Sequence, residues 1–399
     1  MKRILLSLLC ATLFMSCKPD DLTDDNKPPL PPGNEDQEVE ESFFYEQCLY
    51  SPGDYGSKNW RIPALLALPD GSLLAVNDKR KYNETDLPED IDIVARISQD
   101  KGRTWSEPIT IIEGTGYKHG YGDAALVLTA SGDVVCAFVG GNGLWASTQS
   151  DPQYSYICRS SDGGRTWSDP IDITSQLWGN EATHQAGRNY KASFFGSGNG
   201  LRLTRGPHAG RIMFVAAMCR KNANVLDNFV VYSDDEGRTW NVSNKAFSSG
   251  DEAKLVELVD GRVLMSVRRT GARGYNISND GGQSWGTQGY WTEINANACN
   301  GDIIRYSAVD NGGKQNILLH SIPNSRNREN VSIFISYDEG ETWQDPVSLY
   351  AGPSVYSSLT ILNDGTIGAY IEKNPNGACE LWYMNFSFKW LQEQINNQE

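Results

Sequence analysis

RSSDGGRTWSDP occupies residues 159–170, and its central Ser-x-Asp-x-Gly-x-Thr/Ser-Trp pattern occurs five times in the chain. The other copies are SQDKGRTW (98–105), SDDEGRTW (233–240), SNDGGQSW (278–285) and SYDEGETW (336–343). Recurrence of one short motif indicates an architecture built from repeated supersecondary units. A Ser or Asp side chain can cap backbone N–H groups in a tight turn, and we expect the Trp to pack between neighbouring units. We therefore interpret the repeat as a folding device.

The apolar runs between the repeats are short, rich in Val, Ile, Leu, Tyr and Phe, and separated by Gly, Asp, Asn and Pro, as is typical of strands and turns. They form six groups of three, and a tight glycine turn joins the first two strands of each group, as in PDGS (69–72). In five groups the third strand leads into the repeat motif, and a weaker fourth strand can follow. The sixth group lacks the motif, but SFFYEQCLY (42–50) could supply its outer strand. The sequence predicts an all-β fold, a six-bladed β-propeller of four-stranded antiparallel blades.

The N-terminal segment is predicted to lie outside this fold. Residues 1–16 have a basic start and a short apolar run, which indicates a signal peptide. The ending FMSC resembles a bacterial lipoprotein cleavage site, and this resemblance implies lipidation of Cys17; an ordinary signal peptide is the alternative. Residues 17–42 carry nine acidic residues and five prolines and predict a disordered tether. The propeller is then expected over residues 43–399 of an exported, membrane-anchored lipoprotein, held at the outer membrane and facing the periplasm or the cell exterior.

Composition narrows the classes of ligand. The formal net charge is −15, of which the tether carries about half, and no basic patch indicates nucleic acid binding. The four histidines lack the spacing of metal ligands. We therefore expect no nucleic acid partner, no metal and no cofactor, and a monomeric protein.

Strand order predicts which residues meet. In a propeller, the start of each first strand and the loop between the second and third strands open on one face, whereas every repeat motif lies on the other. Residues of the first kind are Arg61, Asp86, Asp123, Glu252, Arg268, Arg328 and Tyr356. Arginine presents a rigid fork of donors that suits a carboxylate. The sequence therefore predicts a central pocket for an anionic ligand.

The stretch NWRIPALLALPDGSLLA (59–75) resembles the Phe/Tyr-Arg-Ile-Pro opening of the exo-sialidase (neuraminidase) superfamily, with Trp60 in place of the usual Phe or Tyr. The resemblance extends over about residues 43–390. It implies that Arg61, Arg268 and Arg328 bind the carboxylate of a sialic acid, and that Arg80 and Asp123 line the sugar pocket. Nearby competitors for the second and third arginines are Arg269 and Arg326.

The same resemblance implies a retaining glycoside hydrolase that releases terminal sialic acids from sialylated glycans. Tyr356 is then the nucleophile, Glu252 the base that activates it, and Asp86 the acid/base group. Sialidases are an exception to the two-carboxylate mechanism of glycosidases, since an anionic nucleophile would be repelled by the sugar's own carboxylate. Runner-up carboxylates are Asp90, Asp92 and Glu257. The alternatives are a non-catalytic sialic-acid-binding propeller and a trans-sialidase, for which the loop carrying Trp145 could shape an acceptor side.

Overall fold

The computed structural model describes residues 41–296 and 298–397. The predicted signal peptide, Cys17 and most of the predicted tether lie outside the described residues. Among those residues, no helix is long and apolar enough to span a membrane.

The described chain is all-β apart from short helices. The first strands are β1 (Phe44–Tyr50), β2 (Asn59–Ala67), β3 (Leu73–Arg80), β4 (Ile91–Ser98), β5 (Ile109–Ile112), β6 (Tyr121–Leu128), β7 (Val134–Gly141), β8 (Gln153–Ser160), β9 (Ile171–Asp172), β10 (Tyr190–Phe195), β11 (Gly198–Asn199), β12 (Leu201–Arg202) and β13 (Ile212–Arg220). They are followed by β14 (Leu226–Ser233), β15 (Asn241–Val242), β16 (Phe247–Ser248), β17 (Ala253–Glu257), β18 (Val263–Val267), β19 (Gly271–Ser278), β20 (Gly289–Ala296), β21 (Asp302–Ser307), β22 (Ile317–Pro323), β23 (Glu329–Ser336), β24 (Val347–Ile361), β25 (Ile367–Lys373) and β26 (Glu380–Phe386). The α-helices are α1 (Thr174–Leu177) and α2 (Phe388–Asn396), and 3₁₀ turns lie at Asp54–Gly56, Gln185–Asn189, Gly206–His208 and Val309–Asn311.

The strands form five sheets around a closed ring. Their orders are β2-β3-β4-β5, β11-β6-β7-β8-β9, β10-β13-β14-β15 with β12 and β16 attached, β17-β18-β19-β20, and β1-β26-β25-β24-β23-β22-β21. The inner strands of successive groups are neighbours around the ring. Strand β2 lies beside β6, β6 beside the third sheet, the third sheet beside β17, β17 beside β21, and β21 beside β24. Strand β24 in turn lies beside β2. The ring of inner strands therefore closes, as a propeller requires.

The seven-stranded sheet is where the structure differs from six separate blades. Strand β24 runs unbroken for 15 residues. Its first half pairs with β23, where Val347 lies opposite Ile333, and its second half pairs with β25, where Ile361 lies opposite Ile367. The continuous strand joins two four-stranded groups into one sheet. The predicted outer strand of the last group is confirmed, because β1 pairs with β26.

The inner part of the third group also differs from the single first strand that the pattern of three runs predicts. Here β10 and β12 both pair with β13, and the short β11 between them turns aside to pair in parallel with β6. The detour requires glycine: a Cβ at Gly196 would lie 2.3 Å from the Ala253 carbonyl oxygen. The segment 196–199 therefore crosses the centre of the ring at close range to neighbouring strands.

Each repeat motif forms a hydrogen-bonded turn after the third strand of its group, as predicted. In the copy after β8, Ser160 Oγ accepts from the Gly164 amide at 2.8 Å, and Asp162 accepts from the Thr166 amide at 2.9 Å and from its hydroxyl at 2.5 Å. Trp105 of the first copy packs edge-on against Tyr383 of β26, with ring centroids 5.2 Å apart. The motif thus closes a turn and fills the space between sheets.

Candidate active site

The eight predicted pocket residues lie at one end of the strand groups. Arg61, Asp123 and Tyr356 are in the inner strands β2, β6 and β24, and Glu252 directly precedes β17. The other four lie at or after the end of a second strand. Arg80 is the last residue of β3, and Asp86, Arg268 and Arg328 are in loops that lead from a second strand to a third.

Irregular backbone aims three of these side chains. The pairing register shifts between Arg61 and Ala64 in β2, and comparable shifts flank Asp123 in β6 and Tyr356 in β24. Ile62 and Asp123 have φ values of 64° and 58°, a region that a β-branched residue such as isoleucine adopts only at an energetic cost. A bulge bends a strand and redirects its side chains, so the strain accompanies the convergence of the site.

Tyr356 lies at the centre of the convergent residues. Its phenolic oxygen accepts a 2.8 Å hydrogen bond from Nη1 of Arg268, and the same Nη1 contacts Oε2 of Glu252. The guanidinium carbons of Arg61 and Arg328 lie 5.2 Å and 6.0 Å from the centre of its ring. The structure therefore brings the three predicted arginines and Glu252 around one buried phenol.

The surroundings hold Tyr356 in its neutral form. Burial raises the pKa of the phenol well above its ordinary value and the nearby Glu252 raises it further, whereas Arg268 and Arg61 lower it. The net direction is upward, so the hydroxyl keeps its proton at neutral pH. Reaction through this oxygen would require a base to take that proton as the new bond forms.

Glu372 is a central residue of the site that the sequence analysis missed. It is buried in β25, and its Oε1 accepts from Arg61 Nε at 2.8 Å and from the Ile62 amide at 2.6 Å. Its Oε2 accepts from the Tyr356 amide at 3.0 Å. One carboxylate therefore fixes an arginine, a strained bulge and the backbone of the phenol. The available signal was an acid inside the apolar strand IGAYIEK.

A second cluster lies beside the first, around Arg80. Its Nη2 lies 2.7 Å from Oδ1 of Asp86 and 3.2 Å from Oδ2 of Asp78. The Asp86 side chain is 79% exposed, whereas Arg80 and Asp78 are buried. Desolvation alone would raise the pKa of Asp86, but Arg80 and Arg61 outweigh it and hold that pKa below its usual value. Asp86 is therefore an ionised carboxylate docked on Arg80.

Asp78 is the second carboxylate that the sequence analysis missed. It lies opposite Arg61 in the β2–β3 pairing and accepts a 3.2 Å hydrogen bond from the Asp123 amide. Burial raises its pKa to about 7 despite the contact with Arg80, and burial also raises the pKa of Asp123. Asp78 stands two residues before Arg80 in a strand, so both side chains point to the same face; that spacing was the signal.

The runner-up residues are engaged elsewhere. Arg269 lies over the rings of Phe247 and Tyr290. Glu257 pairs with Arg205 at 2.9 Å. Asp90 and Asp92 both contact the Lys81 ammonium, at 2.9 Å and 2.8 Å. None of these contacts involves the Tyr356 cluster.

Two further observations bear on ligands. No group of three His, Cys, Asp or Glu side chains suited to a metal ion occurs in residues 41–296 and 298–397. A shallow cavity of about 350 Å³ is lined by residues outside the Tyr356 cluster, among them Arg220, Lys221 and Lys245.

Comparison with known proteins assigns the family. The profile described as "BNR repeat-like domain" matches residues 65–369, which include every predicted pocket residue except Arg61. The chain belongs to the bacterial sialidase family with BNR (Asp-box) repeats. It is 34% identical over 380 residues to a sialidase of Micromonospora viridifaciens, covering 91% of this chain and 56% of that protein. A sialidase of Bacteroides fragilis is 28% identical over 346 residues, with coverage of 81% and 61%.

The chain therefore spans somewhat more than half the length of these two relatives. Among solved structures, a Hadza microbial sialidase superposes with a TM-score of 0.76 at 27% identity, covering 86% of this chain and 68% of the other. An intramolecular trans-sialidase from Ruminococcus gnavus superposes with a TM-score of 0.74 at 21% identity, covering 86% and 98%. At that identity the second likeness establishes the fold alone. Sialidase structures are β-propellers, in agreement with the closed ring of this family member.

Proposed function

We propose that this protein is an exo-α-sialidase that hydrolyses terminal sialic acids from glycoproteins, glycolipids and oligosaccharides. The observation that carries the proposal is the contact of one Arg268 nitrogen with both the Tyr356 phenol and the Glu252 carboxylate. Arg61 and Arg328 flank the same ring. This arrangement combines an anion site with a neutral nucleophile and its base. The relatives named above, which carry the name sialidase, support the same function.

Arg61, Arg268 and Arg328 would bind the sugar carboxylate. Three guanidinium groups converging from different strand groups offer charge-assisted hydrogen bonds in fixed geometry. They would keep the sugar carboxylate in place, without reorganisation, as the anomeric carbon becomes oxocarbenium-like, because Glu372 and the bulged backbone hold Arg61 in position before substrate arrives. Arg80 and Asp123 would line the remainder of the sugar pocket.

Tyr356 would attack the anomeric carbon while Glu252 removes the phenolic proton. A neutral phenol approaches a carbon that carries a carboxylate without charge repulsion. As the phenolic oxygen bonds to carbon, Glu252 takes the proton and the glycosidic bond breaks. Water then releases the sugar in a second displacement, so that two inversions give net retention.

Asp86 would protonate the leaving oxygen and later deprotonate the water. Its docking on Arg80 favours the ionised form, so it must leave that arginine to act as an acid. A sugar hydroxyl that occupies Arg80 would displace Asp86 and allow its pKa to rise. The exposed position of Asp86 leaves room for this movement.

We also propose the six-bladed count for the propeller. Dividing the seven-stranded sheet within β24 gives groups β21-β22-β23-β24 and β24-β25-β26-β1, since the two halves of β24 pair with different partners. The other four sheets supply one blade each. A crystal structure in which both halves of β24 pair with the same neighbouring strand would contradict this division.

We further propose that Cys17 is lipidated and that the monomeric protein is anchored to the outer membrane by this residue. Cys17→Ser should abolish metabolic labelling with a fatty acid. Protease treatment of intact cells would then separate the two orientations, because only an outward-facing protein would be degraded. Retention of the label in Cys17→Ser would reject the anchor.

The function is tested by hydrolysis of 4-methylumbelliferyl α-sialoside by the full chain, beside Tyr356→Phe and Arg268→Ala. We expect release by the wild type and a large loss of turnover in both variants. A well-folded wild type that binds immobilised sialoglycans without hydrolysis would instead be a lectin. Sialyl transfer to added lactose in preference to water would indicate a trans-sialidase. Trp145, which is 54% exposed, could then contribute to an acceptor site.

A further inference from the structure

Arg273 is a buried cation one strand behind the site. It lies in β19 and is 2% exposed. Its Nε donates to Ser266 Oγ at 2.9 Å and its Nη1 donates to the Cys299 carbonyl at 2.8 Å. In the described part of the chain, its Nη2 has no hydrogen-bond partner and no ion pair includes this arginine. Glu252 and Asp251 act on this charge only from a distance. A buried charge with no direct ion-pair partner is costly, which calls for an explanation beyond packing.

Arg273 binds the carbonyl of Cys299, and residues 298, 299 and 300 each make a further hydrogen bond toward the site or the centre of the ring. The Ala298 carbonyl accepts from Arg328 Nη2 at 3.0 Å. The Cys299 thiol donates to the Val355 carbonyl at 3.1 Å, directly before Tyr356. The Asn300 amide group donates to the Ser197 carbonyl at 3.2 Å, in the segment that crosses the ring. Residues 298–300 therefore connect an arginine, the backbone of the phenol and the centre of the fold.

We propose that Arg273 is a positioning residue, which fixes residues 298–300 and through them Arg328 and Tyr356. This inference rests on the proposed sialidase function, for which those two residues bind the carboxylate and attack the anomeric carbon. Residues 298–300 belong to the connection between β20 and β21, and the Arg273 side chain is the anchor that reaches them from β19. Its planar fork bonds Ser266 and Cys299 at the same time, which one lysine ammonium cannot reproduce in the same geometry.

The charge of Arg273 also strengthens its hydrogen bond to residues 298–300. Burial lowers its pKa to about 10, so it remains a cation at neutral pH. The bond to the Cys299 carbonyl is therefore charge-assisted and stronger than a bond between neutral groups. A neutral side chain of similar length would fill the space but leave residues 298–300 without this anchor.

The experiment compares Arg273→Met and Arg273→Lys with wild type in the full chain. A control, Arg202→Met, removes another arginine whose Nη1 donates to a backbone carbonyl, that of Thr129 at 2.9 Å, in a turn away from the site. Kinetics on the fluorogenic sialoside are measured well below each melting temperature. Hydrogen exchange of the peptide containing residues 298–300 is followed by mass spectrometry.

For Arg273→Met we expect a raised KM, a lowered kcat and a fall in kcat/KM of about 10- to 100-fold, since a displacement of about 1 Å costs that much. Exchange at residues 298–300 should become faster, and Arg273→Lys should recover part of both effects. The control should change the melting temperature alone. A purely structural role would also change stability alone.

Unchanged kcat, KM and exchange in Arg273→Met would overturn the inference. If the wild type hydrolyses no sialoside but residues 298–300 still exchange faster in Arg273→Met, the anchor is supported and the proposed function is rejected. Normal hydrolysis by the wild type with no kinetic change in either Arg273 variant would reject the positioning role and leave the function intact.

Discussion

The Nη1 atom of Arg268 donates a 2.8 Å hydrogen bond to the phenolic oxygen of Tyr356 and also contacts Glu252. Arg328 approaches the same ring only at its face, 6.0 Å from the centroid. The two arginines should therefore differ in function. Arg268→Lys should lower kcat and raise KM, because it disturbs the proposed nucleophile and the proposed base together. Arg328→Lys should mainly raise KM. Steady-state kinetics on a sialoside compare them, and equal losses of kcat would contradict this distinction.

Glu372 supplies the second prediction. Glu372→Gln removes the charge that holds Arg61 and should lower the free energy of unfolding by about 3 kcal/mol, since it leaves a mostly buried guanidinium unpaired. It should also lower kcat/KM, because Arg61 and the Tyr356 amide lose their shared acceptor. The control is Asp151→Asn, which breaks the exposed pair with Lys118 and should cost less than about 1 kcal/mol. Urea unfolding measures both; equal destabilisation would argue against the central place of Glu372.

Asp78 should make stability depend on pH in an unusual direction. Its pKa is raised from 3.8 to about 7 in the folded protein, mainly by burial. Between about pH 4 and 7 the folded state keeps a proton that the unfolded state has lost, so this group's contribution to stability falls as pH rises. Asp78→Asn cannot titrate, and its melting temperature should fall less between pH 4.5 and 7.5 than that of the wild type. Identical pH profiles for the two proteins would contradict the assignment.

The repeat motifs should make stability depend on pH in the opposite direction. The hydrogen bond from Thr166 is the largest of the contacts that lower the pKa of Asp162 to about 2. Its contribution is present above about pH 4 and is lost as pH falls toward 2. Asp162→Asn should lower the melting temperature at pH 7 by about 2 °C and leave kcat unchanged, since the motif lies on the face opposite Tyr356. A large loss of kcat in a folded variant would show that the motif affects the site.

Strand order and turn chemistry were enough to predict much of this molecule. The glycine turns and the repeat motifs mark the ends of strands. Because successive connections lie at alternate ends of a strand group, Arg61 and Arg268 are expected at the same end. The lengths of the strands and the positions of the turns, which can be read directly from the sequence, set the spacing of these residues along the chain. This is why residues from distant positions could be expected in one pocket.

Glu372 and Asp78 could not be assigned in the same way. A carboxylate inside an apolar strand has no evident role until its partners are known, and two of the three partners of Glu372 are 310 and 311 residues away in sequence. The unbroken β24 was also hidden, because residues 347–361 contain Gly352 and Pro353, which usually interrupt strands. Both features depend on contacts between groups, which no local pattern encodes.

The most direct test of the central claim is to trap the covalent intermediate. A 2,3-difluorosialic acid reacts as a slow substrate whose glycosyl-enzyme intermediate accumulates, so peptide mass spectrometry can locate the attached sugar. We predict a single adduct on the peptide containing Tyr356, lost in Tyr356→Phe. An adduct on another residue, or an active wild type that forms none, would contradict Tyr356 as the nucleophile.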